Sequence, residues 1–215
     1  MRRKTQQGVA SVEFALSSLV LVPLLLGSIG IGLCMHQQME TVQLARDAGH
    51  MYARDVDFGL TGNQQLLVTI AGALGLSTTA GSGSAVVILS QVRYVDVSAC
   101  TLAGKVDIHG NPSGCSNYQH WVFAQRLVVG NSSVRASSLG TPNSLIIGTD
   151  GAISITNQVT NTTDVAAITG FNPWNSTSDT GLPSGQVIYV TEAAATGFSM
   201  PPYVNAVNTY SQVCF

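Results

Sequence analysis

One carboxylate lies at the edge of the most apolar part of the sequence. Glu13 is followed by residues 14–39, which contain no Lys, Arg, Asp or Glu. A carboxylate costs up to about 3 kcal/mol at the centre of a bilayer and less near the interface, so Glu13 needs either a partner or room to snorkel. If the chain were cut after Gly8, the new amine of Val9 would lie one helical turn before Glu13. The spacing predicts an ion pair between this carboxylate and an amine of the same chain or of a neighbouring copy.

The four cysteines offer a second kind of chemistry. Cys100 and Cys115 flank a turn-rich loop, which predicts a disulfide in an oxidising compartment. Cys214 is an alternative partner for either of them, because connectivity cannot be read from a sequence. Cys34 lies in the apolar stretch and is expected to be a free packing residue.

Metal and catalytic chemistry have weaker support. Cys100, His109, Cys115 and His120 are of types that zinc accepts, but no pair among them has the usual ligand spacing. The sequence lacks the H-E-x-x-H, G-x-S-x-G, C-x-x-C and G-x-x-x-x-G-K-[ST] motifs. We therefore predict no metal site, no cofactor and no enzymatic activity.

The composition limits the class of protein. The chain has 215 residues, of which 45% are hydrophobic and 9% charged, with a formal net charge of -2. Its mean hydropathy is +0.28. Intrinsic disorder requires low hydrophobicity and high net charge, so this composition argues against it. The absence of a basic surplus argues against a nucleic-acid partner.

The apolar stretch is long enough to cross a membrane. Residues 14–35 would form a helix of roughly 33 Å, whereas the apolar region of a signal peptide has about 7–15 residues. Arg2, Arg3 and Lys4 precede this stretch and no basic surplus follows it. The positive-inside rule places the N-terminus in the cytoplasm and the residues after about 39 outside. Membrane lipid is thus an expected partner.

The helix is expected to continue beyond the membrane, over residues 9–56, and to end near Gly59. Pro23 lies within the span and would free a backbone carbonyl, while Ser28 and Gly32 form a small-xxx-small pair that permits close helix packing. Apolar or small residues recur at helical spacing and predict one packing stripe. They are Met35, Met39, Val42, Ala45, Gly49, Tyr52 and Val56.

These N-terminal residues carry a family resemblance. The run GVASVEFAL at residues 8–16, PLLLG at 23–27 and LARDAGHMYAR at 44–54 resemble the TadE-like pilus proteins. The basic leader before Gly8 resembles the class III signal of type IV prepilins. The resemblance implies that a prepilin peptidase cuts between Gly8 and Val9, and that Glu13 becomes the fifth mature residue. Apart from the resemblance, Phe14, Pro23, Ser28 and Gly32 are the residues expected to pack against other helices, although low side-chain bulk explains Ser28 and Gly32 equally well.

The same resemblance implies a location and partners. The chain would be a single-pass protein of a bacterial inner membrane, with a structural role in pilus biogenesis and adhesion. Its partners would be other pilins and Tad inner-membrane assembly proteins, together with the prepilin peptidase. The alternative function is a membrane-anchored binding or sensor protein that does not polymerise. An envelope enzyme is the third and least supported alternative.

The remaining sequence predicts an α+β fold in which an antiparallel, β-rich domain follows the long helix. The expected divisions are a leader (1–8), the helix (9–57), a short helix with a flexible linker (58–84) and the outer domain (85–215). Strands are predicted over 85–98, 118–129, 145–147, 153–155 and 187–191. A bulge is expected at Tyr94–Val95. One face of the second strand is expected to carry Trp121, Phe123, Leu127 and Val129.

A loop composition over residues 169–183 displays two aromatic side chains. Phe171 and Trp174 could contact a surface, a glycan or a partner pilin. The alternative, which we favour, is that Trp174 tucks beneath the loop. Pro201 and Pro202 exclude an interior strand over residues 198–203, because they lack the N–H groups that a sheet requires.

Overall fold

A single helix of 50 residues, α1 (Lys4–Ala53), begins the fold of this computed structural model. The structure describes residues 4–168, 185–201 and 204–215, and for residues 4–9 only the backbone. The other helices are α2 (Thr61–Ala71), α3 (Val97–Leu102) and α4 (Ile155–Thr160). The strands are β1 (Ala85–Tyr94), β2 (Trp121–Gly130), β3 (Val187–Ala195) and β4 (Thr209–Cys214). The predicted α+β class, with a long helix before an antiparallel sheet, is confirmed.

The described strands form one sheet in the order β2-β1-β3-β4, and every neighbouring pair is antiparallel. One face of this sheet packs against the C-terminal half of α1. Alanines on both elements, Ala45 and Ala48 on the helix and Ala193 and Ala195 on β3, are buried at this contact. Their small side chains allow the helix to approach the sheet closely. Larger residues at the edges of the contact, among them Leu44, Tyr52 and Leu89, complete the core.

The first helix ends earlier than predicted. Its last residue is Ala53 rather than Val56, and Asp55 has a φ of 61°, in the left-handed region. The amide of Val56 donates to the carbonyl of Met51, which closes the turn. Gly59 is not the terminating residue; its amide donates to the Asp57 carboxylate at 2.8 Å. The packing stripe is correct from Ala45 onward, but Met35 and Met39 are exposed.

The β-bulge lies on β2 rather than at Tyr94–Val95. Gln91 of β1 faces Gln125, whereas the next residue, Val92, faces Phe123, so Ala124 is the extra residue. A bulge reverses which side chains face each side of the sheet. Trp121 and Phe123 therefore join one cluster, while Leu127 and Val129 join the core beneath α1. The prediction that these four residues share one face is wrong.

Three predicted strands take other forms. The first ends at Tyr94, because the Asp96 carboxylate accepts from the amide of Ala99 at 2.8 Å and caps α3. Around residues 145–155 there are isolated bridges, between Ile147 and Ile153 and between Ala152 and Gln125 of β2, flanked by a 3₁₀ turn and α4. The predicted strand at 187–191 is present and longer, as β3, whereas β4 was not predicted.

The segment between α2 and β1 is a bonded turn in the structure, not an open linker. The amide of Ser84 donates to the carbonyl of Gly75 at 2.9 Å, and its hydroxyl donates to the carbonyl of Leu74 at 2.8 Å. The amide of Gly81 reaches the carbonyl of Gly130 at the end of β2. These bonds attach the segment to the sheet. The preceding short helix, α2, matches the helix expected there.

The sheet face away from α1 contains two buried charged groups. Glu192 accepts hydrogen bonds from the hydroxyl of Ser137, from the amide and hydroxyl of Ser138 (2.7 and 2.8 Å) and from Tyr210 (2.7 Å). Arg126 donates to the Ser90 hydroxyl and to the carbonyl of Gly140. Burial lowers the pKa of Arg126 to about 10. Both groups attach the irregular segment after β2 to the sheet.

Candidate functional site

The N-terminal half of α1 presents an apolar surface that the described domain does not cover. Phe14 is 75% exposed and Leu19 73% exposed, whereas Leu44 on the docked half is 1% exposed. Within the described part of the chain, α1 is the one helix long and apolar enough to cross a membrane, between Ala10 and Ala53. The core helix of a soluble domain would be buried along its apolar residues. This exposed surface therefore requires lipid or other helices.

The backbone brings the predicted cleavage residues and Glu13 onto the same helix. Gly8 and Val9 both lie within α1, so the nitrogen of Val9 is about 6 Å along the axis from Glu13. Glu13 is exposed. Among the described residues, the one ion pair is between His36 and Glu40, at 3.6 Å. An amine created at Val9 would thus meet an available carboxylate on its own helix face.

The residues predicted to pack against other helices lie on this exposed segment. Pro23 lies inside α1 without ending it. The hydroxyl of Ser28 donates to the carbonyl of Leu25 at 2.8 Å, so this side chain is bonded to its own helix. No described atom lies within 4 Å of a Cβ added at Gly32. The surface around Ser28 and Gly32 is therefore open to a neighbouring helix in this structure.

A set of polar contacts marks where the helix meets the outer domain. The Gln37 amide group donates to the carbonyl of Thr196 at 2.6 Å, and its oxygen accepts from the amide of Phe198 at 2.9 Å. The side chain of Gln38 donates to the carbonyl of Tyr210 at 3.1 Å. One turn later, the hydroxyls of Thr41 and Thr209 are 2.7 Å apart. These contacts fix the position of the sheet along α1.

Sequence reasoning missed these residues. The first polar amides after the apolar stretch, Gln37 and Gln38, were the available signal for this junction. Gly30 was also missed as a contact point, whereas Gly49 was part of the predicted packing stripe but its partner was not predicted. The ring of Phe215 occupies the space where Gly49 lacks a side chain, and it lies 4.5 Å from the ring of His50. Val204 occupies the corresponding space at Gly30.

The cysteines divide into a bonded pair and two free thiols. Cys100, in α3, and Cys115, in the following loop, form a disulfide with their Cα atoms 5.8 Å apart. Cys34 and Cys214 are free and half-buried, and Cys214 faces Val190 across the edge of the sheet. Burial raises the pKa of the Cys214 thiol.

The alternative of a zinc site fails on this geometry. The two cysteines of that site, Cys100 and Cys115, are bonded to each other in a disulfide, so they are not thiolate ligands. No three His, Cys, Asp or Glu side chains converge into a metal site anywhere in the described ranges. The aromatic loop with Phe171 and Trp174 lies outside the described residues.

Comparison with known proteins agrees with the resemblance noted in the sequence. Residues 8–50 match the model of the family described as TadE-like protein. No curated protein and no solved structure matches the chain. The matched segment begins at Gly8, includes Glu13 and the exposed apolar surface, and ends within the docked half of α1. Over residues 8–50 the chain is therefore similar to the TadE-like proteins, and the predicted resemblance to that family is confirmed for this segment, which includes Gly8 and Glu13.

Proposed function

We propose that this protein is a minor pilin or pseudopilin of a Tad-type (type IVc) pilus assembly or secretion system, with a structural role in pilus biogenesis and adhesion. One observation carries the proposal. The segment that matches the TadE-like family lies within α1, whose apolar N-terminal half is exposed while its C-terminal half packs in the core of the outer domain. Such a helix is suited to be a stem that packs among other helices and presents a folded domain.

The proposed maturation begins in the bacterial inner membrane. The basic leader remains in the cytoplasm, residues 14–35 cross the bilayer and the outer domain lies outside. A prepilin peptidase cuts between Gly8 and Val9. The other expected partners are pilins and Tad inner-membrane assembly proteins, which would contact the surface around Phe14, Pro23, Ser28 and Gly32. An oxidising outer compartment is consistent with the Cys100–Cys115 disulfide.

Glu13 has the central role in the proposed assembly. Once Val9 is the first residue, its amine is a cation at the positive end of the helix dipole, next to hydrocarbon. Pairing with a Glu13 carboxylate, on the same chain or on a neighbouring one, neutralises both groups. A pair between chains would also fix how far one stem is displaced along the next.

The assembly role is tested with Glu13→Ala in the native host. We expect normal membrane insertion and outer-domain folding, because the side chain is exposed, but a loss of the subunit from sheared pili. Glu40→Ala is the matched control, since Glu40 lies on the same helix and pairs only with His36. Immunoblots of membrane and pilus fractions give the comparison. Wild-type incorporation of the Glu13 variant would refute the pairing mechanism, and absence of the wild-type chain from pili would favour the non-polymerising alternative.

A further inference from the structure

The loop that connects β3 to β4 extends along α1 toward its N-terminus. At the end of the loop nearer to β3, the amide of Phe198 donates a hydrogen bond to the side-chain oxygen of Gln37. Further along, Val204 packs on Gly30, where a Cβ would overlap the Val204 methyl and come within 3.7 Å of Met200 Cε. From Gln37 to Gly30 the helix advances about 10 Å. The described parts of the loop, residues 196–201 and 204–208, thus extend about that far beyond the edge of the domain.

The contact at Gly30 is specific to one position on the helix. Gly30 is buried, although its neighbours Ile29 and Ile31 are 49% and 62% exposed. No described atom lies within 4 Å of a Cβ added at Gly27, one turn earlier. Because Gly30 has no side chain, Val204 packs directly against the helix at this position, and we call this contact the seat.

The end of this loop is chemically suited to a lipid environment. Residues 196–208 contain no charged side chain. Met200 and Val204 exchange backbone hydrogen bonds, each 2.9 Å long, and the two prolines between them have no N–H. In hydrocarbon an unpaired backbone group costs several kcal/mol, so such segments require internal pairing. Met200 and Val204 have this pairing, and Val207, at 73% exposed, adds apolar surface without a protein partner in the described part of the chain.

We propose that the loop tip (Met200, Pro201 and Val204) is a second membrane contact, inserted into the outer leaflet beside α1. The inference rests on the proposed function, which places residues 14–35 across the bilayer. Gly30 then lies about 7–8 Å below the outer end of the span, and Val204 lies at that depth with it. Gln37 and Gln38 lie at the level of the headgroups. The occupant is lipid, because the tip is continuous with the membrane-spanning surface and has no charge to attract a soluble partner.

This contact fixes the outer domain in one orientation on the membrane. A single helix would let the sheet rotate and tilt freely, whereas two contacts at different distances from the helix axis restrict both motions. When a subunit leaves the bilayer for a pilus, the loop tip leaves lipid together with the stem. The loop therefore couples the position of the domain to the membrane state of the helix.

Spin-label accessibility in vesicles tests the inference on the full chain. Nitroxides are placed singly at Met200→Cys, Ile31→Cys and Val128→Cys, in a background with Cys34 and Cys214 changed to Ser, in vesicles of phosphatidylethanolamine and phosphatidylglycerol. Collision with oxygen reports lipid, and collision with a water-soluble nickel chelate reports water. We expect the oxygen-to-nickel ratio at Met200 to resemble that at Ile31 and to exceed that at Val128 several-fold.

The three labels separate the possible failures. If Ile31 is in lipid but Met200 resembles Val128, the inference is wrong and the proposed membrane span stands. If Ile31 also resembles Val128, the span itself is wrong. If Met200 is shielded from both reagents, protein covers it, which contradicts a lipid contact and indicates a second copy or another subunit.

Two glycine variants test the seat that positions the loop tip. In Gly30→Leu the new side chain occupies the place of Val204 and displaces the tip from the helix. We expect nickel accessibility at the Met200 label to rise several-fold. Gly27→Leu is the matched control, because a Cβ added at Gly27 has no described atom within 4 Å, and it should leave the label unchanged. An unchanged label in Gly30→Leu would overturn the assigned seat.

Discussion

Two buried carboxyl groups of the outer domain have opposite environments. Glu192 receives hydrogen bonds from Ser137, Ser138 and Tyr210. Burial alone would raise its pKa, but these bonds hold the pKa of Glu192 below its usual value. Both oxygens of Asp164 are buried, and no described donor reaches either of them. Burial raises the pKa of Asp164 to about 8. One group is thus stable as the anion and the other as the acid.

Asp164 predicts a specific dependence of stability on pH. The folded state keeps the proton on the Asp164 carboxyl group, whereas the unfolded state loses it near pH 4. The contribution of protonated Asp164 to the free energy of unfolding is therefore fully present below about pH 4. It is lost as the pH rises to about 8, at up to about 1.4 kcal/mol per pH unit. Asp164→Asn should remove this slope and stabilise the protein at pH 8. Thermal unfolding of the full chain in detergent, between pH 5 and pH 9, measures the effect.

The control for Asp164 is Asp47→Asn, on the exposed side of α1. It should leave the pH profile of the wild-type protein unchanged. If Asp164→Asn retains the full slope, Asp164 is ionised in the folded protein and this account of its environment is wrong.

At the scale of elements, the disulfide is the strongest covalent constraint of the outer domain. It joins α3 to the loop before β2 across a sequence separation of 15 residues. A loop of this size is worth about 3 kcal/mol in the chain-entropy model. The double variant Cys100→Ser, Cys115→Ser should therefore unfold about 6–12 °C lower. Cys34→Ser is the control and should unfold close to the wild-type temperature, while an unchanged melting temperature in the double variant would contradict the pairing.

The contact between Gly49 and Phe215 predicts coupling between α1 and the C-terminus. Gly49→Leu forces a side chain into the space of the Phe215 ring, which should cost about 1–3 kcal/mol of unfolding free energy. In a Phe215→Ala background that space is free, so the same substitution should cost far less. Gly62→Leu on α2 is the control, because a Cβ added at Gly62 has no described atom within 4 Å. Additive effects of the two changes, measured by denaturant unfolding, would show that the residues do not interact.

The sequence predicted the elements with continuous apolar patterns and missed those that depend on local chemistry or pairing. The first strand was found because it is rich in β-branched residues, and the second because aromatic and aliphatic residues are frequent in it. The bulge at Ala124 was missed because it depends on pairing with β1, and it reversed the assigned face of Trp121 and Phe123. The end of β1 follows from the Asp96 cap, a pattern present in the sequence. Nothing in the short, half-polar β4 distinguished it from a loop.

The sequence predicted the N-terminal part of the candidate site better than the part that contacts the outer domain. Gly8, Glu13 and the apolar stretch are adjacent in sequence, so their arrangement on one helix followed from helical geometry alone. The contacts of Gly30, Gln37 and Gly49 involve residues more than 150 positions away. No local pattern encodes such pairings. The sequence therefore indicated where the stem is, but not how the outer domain is attached to it.

For the whole molecule, α1 combines two environments in one continuous helix. Its N-terminal half requires lipid or other stems, and its C-terminal half is the core of the outer domain. In the proposed function, the leader with Arg2, Arg3 and Lys4 belongs to the precursor alone, and its removal would expose the amine that Glu13 neutralises. Under that proposal, maturation, membrane retention and assembly all depend on one helix.

The most direct test of this account is the N-terminus of the protein isolated from its native host. Intact-mass and N-terminal peptide spectrometry of the membrane fraction should show a chain that begins at Val9, and Gly8→Ala should retain the leader. A parallel strain without the prepilin peptidase should yield only the longer chain. A wild-type protein that keeps residues 1–8 in the presence of the peptidase would contradict the proposed pilin function.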